Sequence, residues 1–162
     1  LRALRGADEA AAGPKSLAAD AVPATAEGCR AAGRRIGFIE GGFDLLDADQ
    51  VDRLRRARAA CDFLVVGVAA DAAERRRRGA FRPVQTQDIR AATVAALDLV
   101  DRVVLLAEDG PAAVIEALRP DVLVETEDSG PAPGSDFVRS YGGLVLRARS
   151  GEPAALAERR AG

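Results

Sequence analysis

Residues Gly41-Gly42-Phe43-Asp44-Leu45-Leu46-Asp47-Ala48-Asp49-Gln50 follow a short apolar stretch, Ile36-Gly37-Phe38-Ile39, and lead into a helical period. Two glycines after a strand, with a helix starting close by, are the parts of an anion site. They supply free backbone N–H groups and the positive end of a helix dipole. Glycines alone say little, because any strand-to-loop turn uses them. Asp47 with Gln50 three residues later also spells a capping box, which would stabilise the helix start by roughly 1 kcal/mol. A sharper reading makes Asp44, Asp47 and Asp49 oxygen ligands for a hard cation such as magnesium. Their spacing matches no dedicated metal loop, so the expected metal set is none. Phe43 and Asp44 read as structural, with the ring against the core and the carboxylate against nearby backbone N–H groups. Further on, Arg75 to Arg78 form a basic run before Gly79, and Arg82-Pro83 follows. Such a run is usually a solvated helix end.

Several chemistries are excluded outright. The chain has no histidine, which removes the Ser-His-Asp triad, the Cys-His dyad and histidine-ligated zinc together. Cys29 and Cys61 form no CxxC pair and read as small buried or half-buried apolar residues of a cytoplasmic protein. The formal net charge of -2 gives no bulk attraction to nucleic acid or to an anionic membrane, so neither is expected as a partner. No long apolar run and no apolar signal segment is present.

The elements that must position these residues alternate. Residues Leu1 to Leu17 lack periodicity and read as a linker or loose tail, leaving 18–162 as one domain. The start at Leu1 suggests a missing upstream segment. Pro23 suits the first turn of a helix and Gly33 its C-terminal cap, with Arg30 near the negative dipole end. Strands are expected at Ile36 to Ile39, Phe63 to Val68, Arg102 to Leu106, Asp121 to Val124 and Leu144 to Leu146. Helices are expected from about Gln50 (with Val51, Leu54 and Cys61 near one face), over Asp88 to Leu99, from Pro111 to before Pro120, and over Pro153 to Arg160. Strands apolar on both faces and alternating with helices predict a Rossmann-like three-layer α/β/α sandwich. Its sheet has five mainly parallel strands, with Ile36 to Ile39 central. Ligands of such sheets bind at the carboxyl ends of the strands, near the switch in strand order.

The segment after the first strand resembles the cytidylyltransferase-like nucleotidyltransferases, whose pattern is G-x-F-D-x-x-H-x-G-H. Within that superfamily it is most similar to the heptose-1-phosphate adenylyltransferase domain, which often follows a sugar-kinase domain. Matching segments are Gly41-Gly42-Phe43-Asp44-Leu45-Leu46, Val65-Val66-Gly67-Val68 with Asp71, Arg82-Pro83, Arg90-Ala91-Ala92, Val100-Asp101 and Glu108-Asp109. Leu118-Arg119-Pro120-Asp121-Val122-Leu123-Val124 and Tyr141-Gly142-Gly143 follow in order. The resemblance implies transfer of a nucleotidyl group from a nucleoside triphosphate to a phosphorylated alcohol or sugar, with magnesium accompanying the nucleotide if the site is active. It implies nucleotide contacts at Gly41, Gly42, Phe43, Asp44, Arg78 and Arg82, with Arg78 at the family's phosphate-contacting lysine.

The departures fall on the same ligands. Asp47, Asp49 and Gln50 stand where the family has histidine, glycine and histidine, groups that bind the triphosphate and stabilise transition-state charge. A carboxylate beside a triphosphate repels it by about 1 kcal/mol per close pair in water, and by several-fold more in a dry site. The family's K-G-G-D-Y falls on Glu125-Thr126-Glu127-Asp128-Ser129, so Glu125 and Asp128 are degenerate substrate positions. Its S-T-T falls on Glu152-Pro153-Ala154. Three anion-binding elements have lost donors or gained negative charge, while the residues that set the fold persist. The reading is a degenerate nucleotidyltransferase-like domain of sugar-nucleotide metabolism, a pseudoenzyme. It keeps residual nucleotide or sugar-phosphate binding, or serves a protein partner or a second copy of itself. An active sugar-phosphate nucleotidyltransferase is the alternative.

Overall fold

The computed structural model describes residues 13–126 and 133–148. Strands β1 (Ile36–Gly41), β2 (Phe63–Val68), β3 (Arg102–Leu105), β4 (Val122–Thr126) and β5 (Leu144–Ala148) form one sheet in the order β3-β2-β1-β4-β5. Every pairing is parallel, and β1 is central. Helix α1 (Val22–Ala31) precedes β1, and helices α2 (Ala48–Ala59), α3 (Asp71–Arg78), α4 (Gln87–Ala95), α5 (Ala112–Leu118) and α6 (Ser135–Ser140) connect the strands.

Side chains alternate across each strand, so neighbours in sequence enter different cores. Ile39, Leu64, Val66, Val68, Val122 and Val124 meet Leu54 and Ala57 of α2 and Ala91 and Val94 of α4 on one face. Ile36, Phe38, Val65 and Leu123 meet Val22, Ala26 and Cys29 of α1, Ile115 and Leu118 of α5 and Val138 of α6 on the other. This is why the strands read as continuous apolar runs. Gly37 is small for packing reasons, since a Cβ there would lie 2.6 Å from Cys61 Sγ.

Three aspartates fasten the amino ends of the strands. Asp62 accepts from Arg35 N at 2.9 Å, Asp101 from Leu64 N at 2.8 Å and Asp121 from Ile36 N at 2.7 Å. Each sits just before one strand and bonds an amide at the start of its neighbour.

Some boundaries and partners differ from the sequence expectations. α2 begins at Ala48 with Asp47 as N-cap, and Cys61 lies beyond its last residue, Ala59, although it is buried. α4 ends at Ala95, and Leu97 packs from the turn that follows. Arg30 lies in the last turn of its own helix, as expected, and also serves another. Its Nη2 donates to Leu118 O at 2.7 Å and Arg119 O at 3.3 Å, closing α5, which stops with Arg119 left-handed (φ 45°) before Pro120. The last residues of the expected tail are fastened. Ser16 bridges Val103 in parallel, Leu17 N donates to Val103 O at 2.8 Å, and Leu17 is buried, because an apolar side chain there finds the core shared by α1 and β3. Tyr141 packs at the turn into β5, its hydroxyl donating to Pro120 O at 2.9 Å. The helix expected over Pro153 to Arg160 and the Glu152-Pro153-Ala154 segment lie outside the described residues. No helix among the described residues is long and apolar enough to cross a membrane.

Candidate functional site

The strand order reverses at β1, which has β2 on one side and β4 on the other. The carboxyl ends of these three strands, with the loops that leave them, form the candidate site. The loop after β1 is shaped by two left-handed residues that are not glycine, Phe43 (φ 50°) and Leu45 (φ 60°). Such conformations are held only where surrounding contacts over-determine them, and they concentrate at functional loops. Phe43 is buried in the core beneath Gly41, which puts the following carboxylate inside.

Asp44 accepts from Val84 N at 2.9 Å, Gln85 N at 3.0 Å and Arg82 Nη1 at 3.1 Å. Burial pushes its carboxyl up, but those two amides and Arg82 outweigh burial and hold it below the usual carboxylate range. The structural reading of Asp44 therefore stands, with partners some forty positions further along the chain. Arg82, named above as a nucleotide contact, has one nitrogen committed to Asp44.

Asp47 is exposed and caps α2, its Oδ1 accepting from Gln50 N at 2.8 Å. The reciprocal half of the capping box is not made, since Gln50 Oε1 is buried without a hydrogen-bond partner. Asp49 is exposed in the first turn of the same helix. The three aspartates of the cation reading are thus held in three different ways, and no cluster of acidic or cysteine side chains among the described residues could hold a metal ion.

Two buried charged residues that sequence reasoning did not assign to the site lie against Gly42. Arg90, 0% exposed, donates to Gly42 O, to Ala69 O and Asp71 Oδ1 at 2.7 Å each, and to Gln85 O at 3.1 Å. It ties the ends of β1 and β2 to the loop before α4. Glu74 of α3 is 1% exposed, lies against the Gly42 Cα and is paired with Arg77 and Arg78. Arg78, expected to contact phosphate, thus has a resident carboxylate 3.3 Å from its Nε. Arg76 is turned elsewhere, to Glu108. The available signals were an arginine inside a matching segment and a glutamate three and four positions before two arginines. Neither reveals burial.

Acid also lines the strand ends. Ile39 of β1 pairs with Val124 of β4, so Glu40 and Glu125 are the next residues on adjacent strands at the switch point. Burial pushes the Glu40 carboxyl up; Arg77 opposes this and Glu74 adds to it. Glu125, the degenerate substrate position, is buried. Ser135 Oγ donates to one oxygen and Arg147 Nε to the other at 3.2 Å. Asp128 lies outside the described residues. The cysteines are free and buried, and burial pushes the Cys61 thiol up to about 11, so neither is a nucleophile at neutral pH.

Residues 38–150 match the cytidylyltransferase-like family model. The chain belongs to the cytidylyltransferase-like family. It is 46% identical over 136 residues to the bifunctional protein HldE of Acidiphilium cryptum, covering 83% of this chain and 28% of that protein. To HldE of Caulobacter vibrioides it is 48% identical over 124 residues, covering 75% and 26%. To HldE of Rhodospirillum rubrum it is 50% identical over 118 residues, covering 72% and 24%. The chain thus spans about a quarter of the length of the curated relatives it matches. Among solved structures, the lipopolysaccharide core biosynthesis protein of Thermoplasma volcanium superposes with a TM-score of 0.66 at 22% identity, over 74% of this chain and 100% of that one. That likeness concerns the fold.

Proposed function

We propose that this nucleotidyltransferase-like domain binds without transferring. It holds a nucleoside or a monophosphate weakly in a cytoplasmic, sugar-nucleotide setting. The observation that carries the reading is the stretch Asp47-Ala48-Asp49-Gln50. It stands where the family's triphosphate-binding histidines belong, and it is built as a helix cap whose carboxylate satisfies its own chain. Transfer at phosphorus is catalysed almost wholly by positioning and charge stabilisation, and removing one preorganised donor costs roughly 10²–10³ in rate. The residues present do not fit a magnesium–triphosphate. Asp44 spends its oxygens on Val84, Gln85 and Arg82, Arg77 and Arg78 are paired with Glu74, and Glu40 adds negative charge.

Calorimetry with adenosine and cytidine and their mono-, di- and triphosphates tests the binding half. Affinity should fall from mono- to triphosphate, and a triphosphate bound more tightly than its nucleoside would sink the reading. A pyrophosphate-release assay with ATP or CTP and heptose 1-phosphate or glycerol 3-phosphate tests the other half, with no sugar-phosphate-dependent release expected.

The rival reading, an active sugar-phosphate nucleotidyltransferase with magnesium, is favoured by the identity to HldE proteins of 46% to 50%. Turnover in the same assay would establish it. An interaction role, with a protein partner or a second copy, is favoured by Phe81, 97% exposed, and by the exposed Leu45, Val84 and Ile89. Sedimentation of the isolated chain tests self-association.

A further inference from the structure

The sequence of α3, Asp71-Ala72-Ala73-Glu74-Arg75-Arg76-Arg77-Arg78, reads as a charged helix end in water. Glu74 is nonetheless buried, and its place is specific. A Cβ built on Gly42 would lie 2.6 Å from the Glu74 carboxyl carbon, so the carboxylate fills the space that glycine leaves beside its own Cα. Arg77 Nη2 donates to Glu74 Oε1 at 2.6 Å, and Arg78 Nε lies 3.3 Å from Oε2. Gly42 is also fixed by Arg90, which donates to its carbonyl.

The bare backbone that would let a phosphate approach is therefore already covered by an anion. The two nearest cations of the basic run already have a negative partner. A phosphate entering here must either displace a buried carboxylate or sit beside it in a region where water screens poorly. An uncharged ligand meets neither cost.

We propose that Glu74 sets the ligand class of this site: it is a resident anion that covers Gly42, pairs with Arg77 and Arg78, and admits nucleoside-like ligands while excluding pyrophosphate and triphosphate. This rests on the reading that the site still binds nucleosides. It moves the decisive negative charge from the start of α2 to the middle of α3.

Calorimetry with inorganic pyrophosphate, adenosine and ATP, on three proteins, tests it. These are the parent, Glu74→Gln, and Glu74→Gln combined with Arg77→Ala and Arg78→Ala. In Glu74→Gln, pyrophosphate and ATP should bind at least about tenfold more tightly than in the parent, because one close like charge is removed from a poorly screened site. Adenosine should be unaffected, and the gain should vanish when both arginines are gone. Pyrophosphate binding equal in parent and Glu74→Gln overturns the proposal, as does a gain that survives loss of both arginines. A parent that prefers ATP to adenosine refutes the proposed function but leaves the glutamine gain as an independent result. A parent that ignores adenosine, with pyrophosphate captured only by Glu74→Gln, removes residual nucleoside binding and keeps Glu74 as the excluding group. Melting curves check folding. If Glu74→Gln does not fold, Glu74→Asp, which withdraws the charge from Gly42 by one methylene, should show a smaller gain of the same sign. If neither folds, the carboxylate is a folding element and the proposal is overturned.

Discussion

Both edges of the sheet are lined with carboxylates, yet they are used in opposite ways. At the amino edge Asp62, Asp101 and Asp121 each bond a backbone amide of the neighbouring strand. The acceptor meets a donor that cannot move, and the strands are fastened in register. At the carboxyl edge Glu40 and Glu125 follow paired residues on adjacent strands, Glu74 lies against the loop after β1, and arginine side chains answer all three. Amide-bonded carboxylates belong to the fold. The carboxylates at the other edge are answered by arginine side chains, and a buried pair of that kind contributes little or negatively to stability.

Arg90 spans strand ends and loops, and its loss should have the largest effect. Arg90→Ala strips the donors from Gly42 O, Ala69 O and Gln85 O and leaves Asp71 unpaired, and should cost about 3–5 kcal/mol in a denaturant titration. A loss under 1 kcal/mol would mean that water replaces the guanidinium readily. Next, Asp101→Ala removes the acceptor of Leu64 N and of Arg58 Nη1 and should cost about 2 kcal/mol. If it cost no more than a glutamine at Glu40, the two edges would not differ as described.

The pH dependence sharpens the contrast. Glu40 titrates higher in the fold than in the unfolded chain, so the fold binds the extra proton and stability falls as pH rises through the folded pKa, then levels off. Glu40→Gln should therefore melt higher than the parent at pH 7, by less than the Asp101 loss. The gap should close below about pH 4, where the carboxyl is protonated in both states. A glutamine variant less stable at pH 7 would refute this. Asp62 carries the opposite sign and the smallest effect. The Arg35 amide holds its carboxyl below the usual range against partial burial, with the Arg35 guanidinium assisting. Its contribution is present above the unfolded pKa and is lost as pH falls through the folded one. Because the side chain is half exposed, Asp62→Asn should cost under about 1 kcal/mol at pH 7 and nothing in strong acid.

The sheet was legible because its strands are buried on both faces, and a run such as Phe63 to Val68 has no other home. The cap at Asp47 was legible because it follows from local backbone chemistry. Glu74 and Arg90 were not. The same letters at the same spacing describe a solvated helix end, and only the approach of α3 and α4 to the loop after β1 buries them. The short α6 also escaped notice, since six residues after the left-handed Gly134 carry too little periodicity to announce a helix.

Ser16 and Leu17 lie along the outer edge of β3, and Lys15 Nζ reaches Leu97 O at 2.8 Å just beyond. An edge strand with unpaired backbone groups is a template for any other extended chain, and proteins blunt such edges by covering them. These few residues therefore act as a selvedge on the sheet. Trimming the chain to residue 18 would leave Val103 O without its donor and expose apolar surface where Leu17 was buried. The cost would show less in the melting temperature than in concentration-dependent association, as one molecule's β3 finds another's.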